Sequence, residues 1–127
     1  MVSTDTRHLL IFGTETTIGN TATQDDLLLR FSDREDATDY TPVATNEAGS
    51  LRISDGSRII GAVKSAGQIL IWTDTSLHGL QFVGTPFTFG LRQLGANAGL
   101  IAQHAAIEVN GIAYWMSDNA FYLYDGV

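Results

Sequence analysis

Short segments rich in β-branched and aromatic residues recur along the chain, separated by polar residues or glycine. No apolar stripe with the i, i+3, i+4, i+7 spacing of a helix continues for three turns. The pattern therefore predicts an all-β chain of antiparallel hairpins. The predicted strands are His8 to Gly13, Asp26 to Phe31, Arg58 to Lys64, Gln68 to Thr73, Leu77 to Val83, Ala105 to Val109, Ile112 to Met116 and Ala120 to Tyr124.

Four short connections between these strands have the composition of turns. Ser65-Ala66-Gly67 and Asn110-Gly111 supply residues that tolerate the positive φ of tight hairpins. Asp74-Thr75-Ser76 and Ser117-Asp118-Asn119 carry short polar side chains that bond to their own backbone and reverse the chain. Each hairpin is therefore predicted to continue into a third strand.

The predicted strands form units that resemble each other. Residues 58 to 84 can be laid on residues 104 to 126, so that Trp72 meets Trp115 at a period of 42 to 43 residues. A four-stranded propeller blade spans roughly 40 to 50 residues. A fainter copy covers residues 8 to 33. The repeat predicts antiparallel propeller-like blades, and a small β-sandwich is the alternative.

Residues 1–127 are predicted to form one β domain, or a fragment of one, that consists of several units. About two and a half blades are expected, whereas closed propellers have about four to eight. An open propeller leaves an apolar flank and strand edges uncovered, so missing residues or further copies are expected to cover them. The units are a partial blade 8–33, a linker 34–57, a blade 58–84 and a blade 87–126, in which 87–91 is the first strand and 92–99 is irregular.

The charge and the composition of the chain exclude several classes of function. Seven basic and fourteen acidic residues give a net charge of −7, which argues against a surface that grips DNA phosphates. Only five charged residues lie between positions 65 and 127, so much of that half is expected to be buried in a core or against neighbouring protein. No apolar stretch approaches the roughly 18 residues of a membrane span. Cysteine is absent, which excludes disulfides and thiolate chemistry.

Catalytic and metal-binding patterns are weak. No histidine has a metal-type partner at short, regular spacing, and no Gly-x-Ser-x-Gly elbow or phosphate-binding glycine loop occurs. The acidic segment between positions 33 and 39 lacks the alternation and central glycine of a calcium loop, so a solvated loop is predicted. We therefore predict no enzyme, no catalytic or metal site and no cofactor. The side chains considered are His8, His78, His104, Asp33, Glu35, Asp36 and Asp39.

The aromatic residues have two interpretations. Trp72 and Trp115 could form a sugar-stacking platform, as in a carbohydrate-binding module for host recognition, but their equivalent positions in a repeat favour wedges between blades. A third class, a propeller hydrolase, would need carboxylates that converge in a channel, from Asp74, Glu108, Asp118 and Asp125. The predicted buried packing and interface anchors are Trp72, Phe82, Trp115, Phe121 and Tyr124.

Several strings, in order, resemble the propeller region of phage tail nozzle and packaged-DNA stabilisation proteins of short-tailed phages. They are Gly-Ser-Arg-Ile-Ile-Gly, Ile-Leu-Ile-Trp-Thr-Asp-Thr-Ser-Leu, Phe-Val-Gly-Thr-Pro-Phe-Thr-Phe-Gly and Ala-Tyr-Trp-Met-Ser-Asp-Asn-Ala-Phe-Tyr-Leu-Tyr-Asp-Gly. The stretch Tyr40-Thr-Pro42 with Asn46-Glu-Ala-Gly49 is similar to the linker that precedes this region. The resemblance covers about residues 26 to 126.

The resemblance implies a structural virion protein without an active site. In that family several copies form a ring that prolongs the channel below the portal, conducts DNA and retains the packaged genome. The implied partners are copies of the chain in a ring and portal, adaptor or other tail subunits, with at most transient, non-specific DNA contact and no membrane. The implied location is the virion tail, after synthesis in the host cytoplasm.

Overall fold

The computed structural model describes residues 2–3, 8–36, 38–40, 48–54, 56–65, 68–84, 88–96, 99–117 and 120–124. Their regular structure is almost entirely β, which confirms the all-β prediction, and one 3-10 turn covers Thr21–Thr23. The strands are β1 (Val2–Ser3), β2 (Leu9–Phe12), β3 (Leu28–Phe31), β4 (Gly49–Arg52), β5 (Ile59–Ser65), β6 (Gln68–Thr73), β7 (Ser76–Gly84), β8 (Thr88–Ala96), β9 (Ala106–Val109), β10 (Ile112–Met116) and β11 (Phe121–Tyr124).

The strands form three antiparallel sheets that follow one another along the chain. Sheet 1 has the order β1-β2-β3-β4, sheet 2 the order β5-β6-β7-β8, and sheet 3 the order β9-β10-β11. Every neighbour in a sheet is also the neighbour in sequence, because each connection is a hairpin or a longer return to the adjacent edge. The first strands of the sheets also lie beside one another, since β5 contacts both β1 and β9.

Two boundaries predicted from the sequence are wrong. The predicted linker 34–57 contains β4, which pairs with β3 and completes sheet 1. The last blade was predicted to begin with a strand at 87–91, but residues 88–91 belong to β8, which pairs with β7 and runs on to Ala96 through part of the stretch expected to be irregular. Residue 87 lies outside the described residues. Cross-strand contacts such as Phe82 opposite Phe89 and Leu80 opposite Leu91 explain this pairing, because they extend the apolar face of sheet 2.

Sheet 2 lies between the other two sheets and contributes to two hydrophobic cores. Successive β6 side chains point to opposite faces, so Ile69 and Ile71 join the core shared with sheet 1, whereas Leu70 and Trp72 join the core shared with sheet 3. All four side chains are buried. This explains why β6 is a continuous apolar run rather than an alternating one.

The two end sheets differ on the faces that point away from sheet 2. On sheet 1, the buried Arg30 donates hydrogen bonds to the carbonyls of Glu15 and Thr16, at 3.0 and 2.8 Å, and so holds the β2–β3 connection over that face. Leu28, two positions before Arg30 and therefore on the same face, is also buried. Sheet 3 has no comparable cover among the described residues, and its outward face is largely exposed.

The hairpin turn of sheet 3 has the predicted chemistry. Asn110 and Gly111 have φ angles of 53° and 84°, as a tight β9–β10 hairpin requires. Glu108 supports the turn, because its Oε1 accepts a hydrogen bond of 2.6 Å from the Gly111 N–H. Among the other predicted turns, residues 66–67 and 118–119 lie outside the described residues.

Candidate interaction surface

The outer face of sheet 3, the face directed away from sheet 2, presents an apolar surface to solvent. The register places Val109 opposite Ile112, and Tyr114 between Ile107 and Leu123. Phe121 is 81% exposed, which is unusual for an aromatic side chain on a regular strand. The residues of this outer face are Ile107, Val109, Ile112, Tyr114, Met116, Phe121 and Leu123.

No residue of the outer face carries a charge, in a chain whose net charge is −7. An uncharged apolar patch on the order of several hundred Å² commonly marks an interaction site, because leaving it in water is unfavourable. The strand edge beside it is also open in the described structure, where β11 pairs only with β10. The face and the edge together can accept another β-sheet.

The opposite face of sheet 3 is the wall of a closed core. Trp115 is buried and packs against Trp72 of sheet 2, with ring centroids 5.3 Å apart. Tyr122 stacks on Trp115 at 5.6 Å, and the half-buried Tyr124 packs against the same cluster. Both sheet–sheet contacts of the described structure are therefore made by apolar and aromatic side chains at alternate positions of the strands. The outer face of sheet 3 carries the same kinds of side chain at alternate positions, but there they are exposed.

The five predicted buried anchors divide into two groups. Trp72, Trp115 and Tyr124 pack in the core between sheets 2 and 3. The expectation of burial is wrong for Phe82, which is 38% exposed, and for Phe121. Phe121 and Tyr124 are three positions apart on one strand and must point to opposite faces, so only one can enter the core. Their role as interface anchors stays a prediction.

The predicted equivalence of Trp72 and Trp115 is also wrong. Trp72 points towards the following sheet, whereas Trp115 points back towards the preceding one, and both enter a single interface. In β10 the residues on either side of Trp115, Tyr114 and Met116, point to the outer face. A slip of one residue moves every side chain of a strand to its other face, so the alignment that sets Trp115 on Trp72 is one residue out of register. Both tryptophans are buried, so in this chain neither offers a ring for stacking against a sugar.

The histidines occupy three unrelated positions. His8 is buried against Phe82 and Phe89, with ring centroids 5.8 and 5.1 Å away. His104 is exposed beside a cavity of about 410 Å³ next to β5. Within the described ranges, no three histidine or carboxylate side chains lie close enough together to hold a metal ion.

Among the hydrogen bonds of the described residues, Ser76 and His78 form a pair with the composition of a nucleophile and a base. The Ser76 Oγ lies 2.9 Å from the His78 Nε2 and 2.7 Å from the Thr73 Oγ1. All three side chains are buried, and the Thr73 Oγ1 also accepts the Ser76 N–H at 3.0 Å. The geometry fixes the β6–β7 turn and leaves the serine oxygen no access to a substrate.

The carboxylates considered for a hydrolase support turns where they are described. Asp74 binds Ser57, and Glu108 binds the turn at Gly111. Asp118 and Asp125 lie outside the described residues. In the acidic segment, Asp36 Oδ1 accepts hydrogen bonds from the N–H and hydroxyl of Thr38, which lower the pKa of its carboxyl group.

Replacing Asp74 by Asn tests the link between sheets 1 and 2 through acid stability. The Asp74 carboxylate accepts the Ser57 hydroxyl at 2.6 Å and the Ser57 N–H at 2.8 Å, and these bonds lower its pKa from the ordinary 3.8. A lowered pKa gives stability that is present above pH 4 and is lost as the pH falls through the folded value. We expect Asp74→Asn to cost about 0.5–1 kcal/mol at neutral pH and to flatten the loss of stability below pH 4.

Urea unfolding between pH 3 and pH 7, followed by circular dichroism, measures this effect. Ser57→Ala is the matched variant, because it keeps the carboxylate but removes the hydroxyl donor. The double variant should be little worse than Asp74→Asn alone, since both changes break one contact. Full additivity of the two costs would contradict the assignment.

Comparison with models of known protein families finds no match, and comparison with curated protein sequences finds none either. No helix within the described ranges is both long and apolar enough to cross a bilayer. The function must therefore be argued from the surfaces of the three sheets.

Proposed function

We propose that the chain is a non-enzymatic structural component of a virus particle, within the channel or nozzle of a short phage tail that retains and conducts packaged DNA. The observation that carries this proposal is the uncharged, apolar outer face of sheet 3 beside the open edge of β11. A surface of this kind suits permanent assembly with another protein, because obligate interfaces resemble a core cut in half.

The arrangement of the sheets supports a propeller-like architecture. Each sheet follows the previous one in sequence and packs on it face to face, and the first strands contact in the order β1, β5, β9. In a propeller the blades are arranged around an axis, so their first strands lie side by side. In this proposal the outer face of sheet 3 is where the next blade, or a copy of the chain, continues the array.

Charge supports a role in which DNA passes without being held. Net negative charge repels phosphate, so any contact with DNA is transient and non-specific. The proposed partners are copies of the chain in a ring and portal, adaptor or other tail subunits. The proposed location is the virion tail, reached after synthesis in the host cytoplasm.

The first test is the mass of the purified chain by light scattering across a dilution series, with negative-stain microscopy of the same samples. We expect a discrete oligomer of constant mass that appears as rings, because a closed ring stops growing when its interfaces are satisfied. A stable monomer at 100 μM would overturn the proposal. So would a saturable fluorescence response of the tryptophans to oligosaccharides, since it would favour host-glycan recognition instead.

A further inference from the structure

The turn between β9 and β10 carries the one asparagine–glycine pair of the sequence, Asn110 and Gly111. The other four asparagines precede threonine, glutamate or alanine. Glycine has no side chain to block the approach of its own backbone nitrogen to the Asn110 Cγ. Asn110 is exposed, and a Cβ atom at Gly111 would meet no atom of the described structure within 4 Å beyond its chain neighbours. The turn is therefore open to a reaction between its own backbone and side chain.

The reaction available to this pair is deamidation. The Gly111 nitrogen loses its proton and attacks the Asn110 Cγ, so that an N–Cγ bond forms. The Cγ–Nδ2 bond then breaks, and the amide group takes up a proton and leaves as ammonia. Water opens the resulting succinimide ring at either carbonyl, which gives aspartate or isoaspartate. The step needs no enzyme or cofactor, because ring closure is intramolecular.

Glu108 holds the atom that must react. Its Oε1 accepts the Gly111 N–H at 2.6 Å, in a charge-assisted hydrogen bond. The negative charge of this carboxylate also opposes loss of the proton, because the nitrogen would become an anion beside another anion. The φ angles of 53° at Asn110 and 84° at Gly111 are those of a closed hairpin turn. Attack on the Asn110 Cγ therefore requires that Gly111 first leave Glu108.

We propose that Asn110 is a site of spontaneous deamidation in this chain, and that Glu108 is a positioning residue that slows the reaction by holding the Gly111 N–H. Local opening of the hairpin releases the nitrogen. The product adds a negative charge next to Val109, at the rim of the uncharged outer face of sheet 3. Isoaspartate also adds one atom to the backbone of the turn, which disturbs the pairing of Val109 with Ile112.

The test incubates the full chain, folded and in urea, at mildly alkaline pH. Peptide mapping by mass spectrometry identifies each converted asparagine and separates aspartate from isoaspartate. We expect Asn110 to react before the other asparagines, and about tenfold or more slower in the folded chain than in urea. Glu108→Ala should speed the reaction of the folded chain about threefold or more, and should have no effect in urea. Glu108→Gln keeps an acceptor oxygen without the charge, so its rate should lie between.

The matched control is Glu15→Ala. The Glu15 Oε1 accepts the Gly19 N–H at 3.2 Å in the β2–β3 connection, so this variant removes a similar contact from sheet 1. It should leave the rate at Asn110 unchanged.

Amide hydrogen exchange in β10 separates the contact of Glu108 from the stability of the hairpin. Faster deamidation of Glu108→Ala with unchanged exchange in β10 supports the proposal. If exchange in β10 speeds up by the same factor, hairpin opening alone sets the rate and the proposal is overturned. Equal rates in the folded Glu108→Ala and unaltered chains would also overturn it, as would earlier conversion of another asparagine.

Discussion

Trp72→Ala is expected to lower the free energy of unfolding by about 3–5 kcal/mol, a large share of the about 5–15 kcal/mol that stabilises a typical domain. Trp72 is 0% exposed and packs on Trp115, at the centre of the core between sheets 2 and 3. Its removal leaves a cavity between two sheets whose strands cannot close on it. Urea unfolding monitored by far-UV circular dichroism measures the loss.

Two further variants make this result specific to the core. Tyr114→Ala removes a half-exposed ring from the outer face of the same sheet, and it should cost less than about 1 kcal/mol. Trp72→Phe should cost less than Trp72→Ala, in part because the buried indole N–H has no hydrogen-bond partner in the described structure. A cost of Trp72→Ala below about 1 kcal/mol would show that the two sheets do not depend on this contact.

If the chain assembles as proposed, Phe121→Lys combined with Leu123→Lys is expected to convert that oligomer into monomer, with at least a hundredfold weaker association. Both side chains point to the outer face of sheet 3, where they are 81% and 60% exposed. Association would have to bury two ammonium groups without partners, which is strongly unfavourable. Light-scattering mass at several concentrations measures the change.

The control must add the same two charges elsewhere. Ile18→Lys with Thr21→Lys does so on the β2–β3 connection, where both residues are exposed. It should leave the mass unchanged and should unfold at the same urea concentration as the unaltered chain. An oligomer that persists at full mass in the Phe121→Lys, Leu123→Lys protein would exclude the outer face as the interface.

The strands were predictable wherever the sequence concentrates β-branched and aromatic residues. Gln68 to Thr73 and Ile112 to Met116 coincide with β6 and β10. The sequence of β4, Gly-Ser-Leu-Arg, does not predict a strand, because it contains no β-branched or aromatic residue and its one apolar side chain is Leu51. Its conformation depends on a tertiary contact, the pairing of Leu51 with Leu29 above the first core.

The assignment of β8 failed for a different reason. Pro86 and the glycines at 90 and 95 suggest breaks, and a break in sequence does not reveal which sheet the next strand joins. A cavity of about 670 Å³ between β4 and β8 could not be predicted from the sequence, because it depends on β4 and β8 being strands that face each other. The sequence led us to expect an uncovered apolar flank. It could not identify the residues of the outer face, because these depend on how β9, β10 and β11 pair.

The middle position of sheet 2 determines how the chain can open. Either end sheet can detach while the other core stays intact, so the free energy of opening should differ between the two ends. The amide hydrogens of β6 bond to β5 or β7 inside sheet 2, and the side chains of β6 are shared by both cores, so these amides should be among the last to exchange. Unfolding that starts at one end, under a pulling force or after cleavage by a protease, should therefore pause at sheet 2. Sheet 2 separates the unfolding of sheet 1 from that of sheet 3.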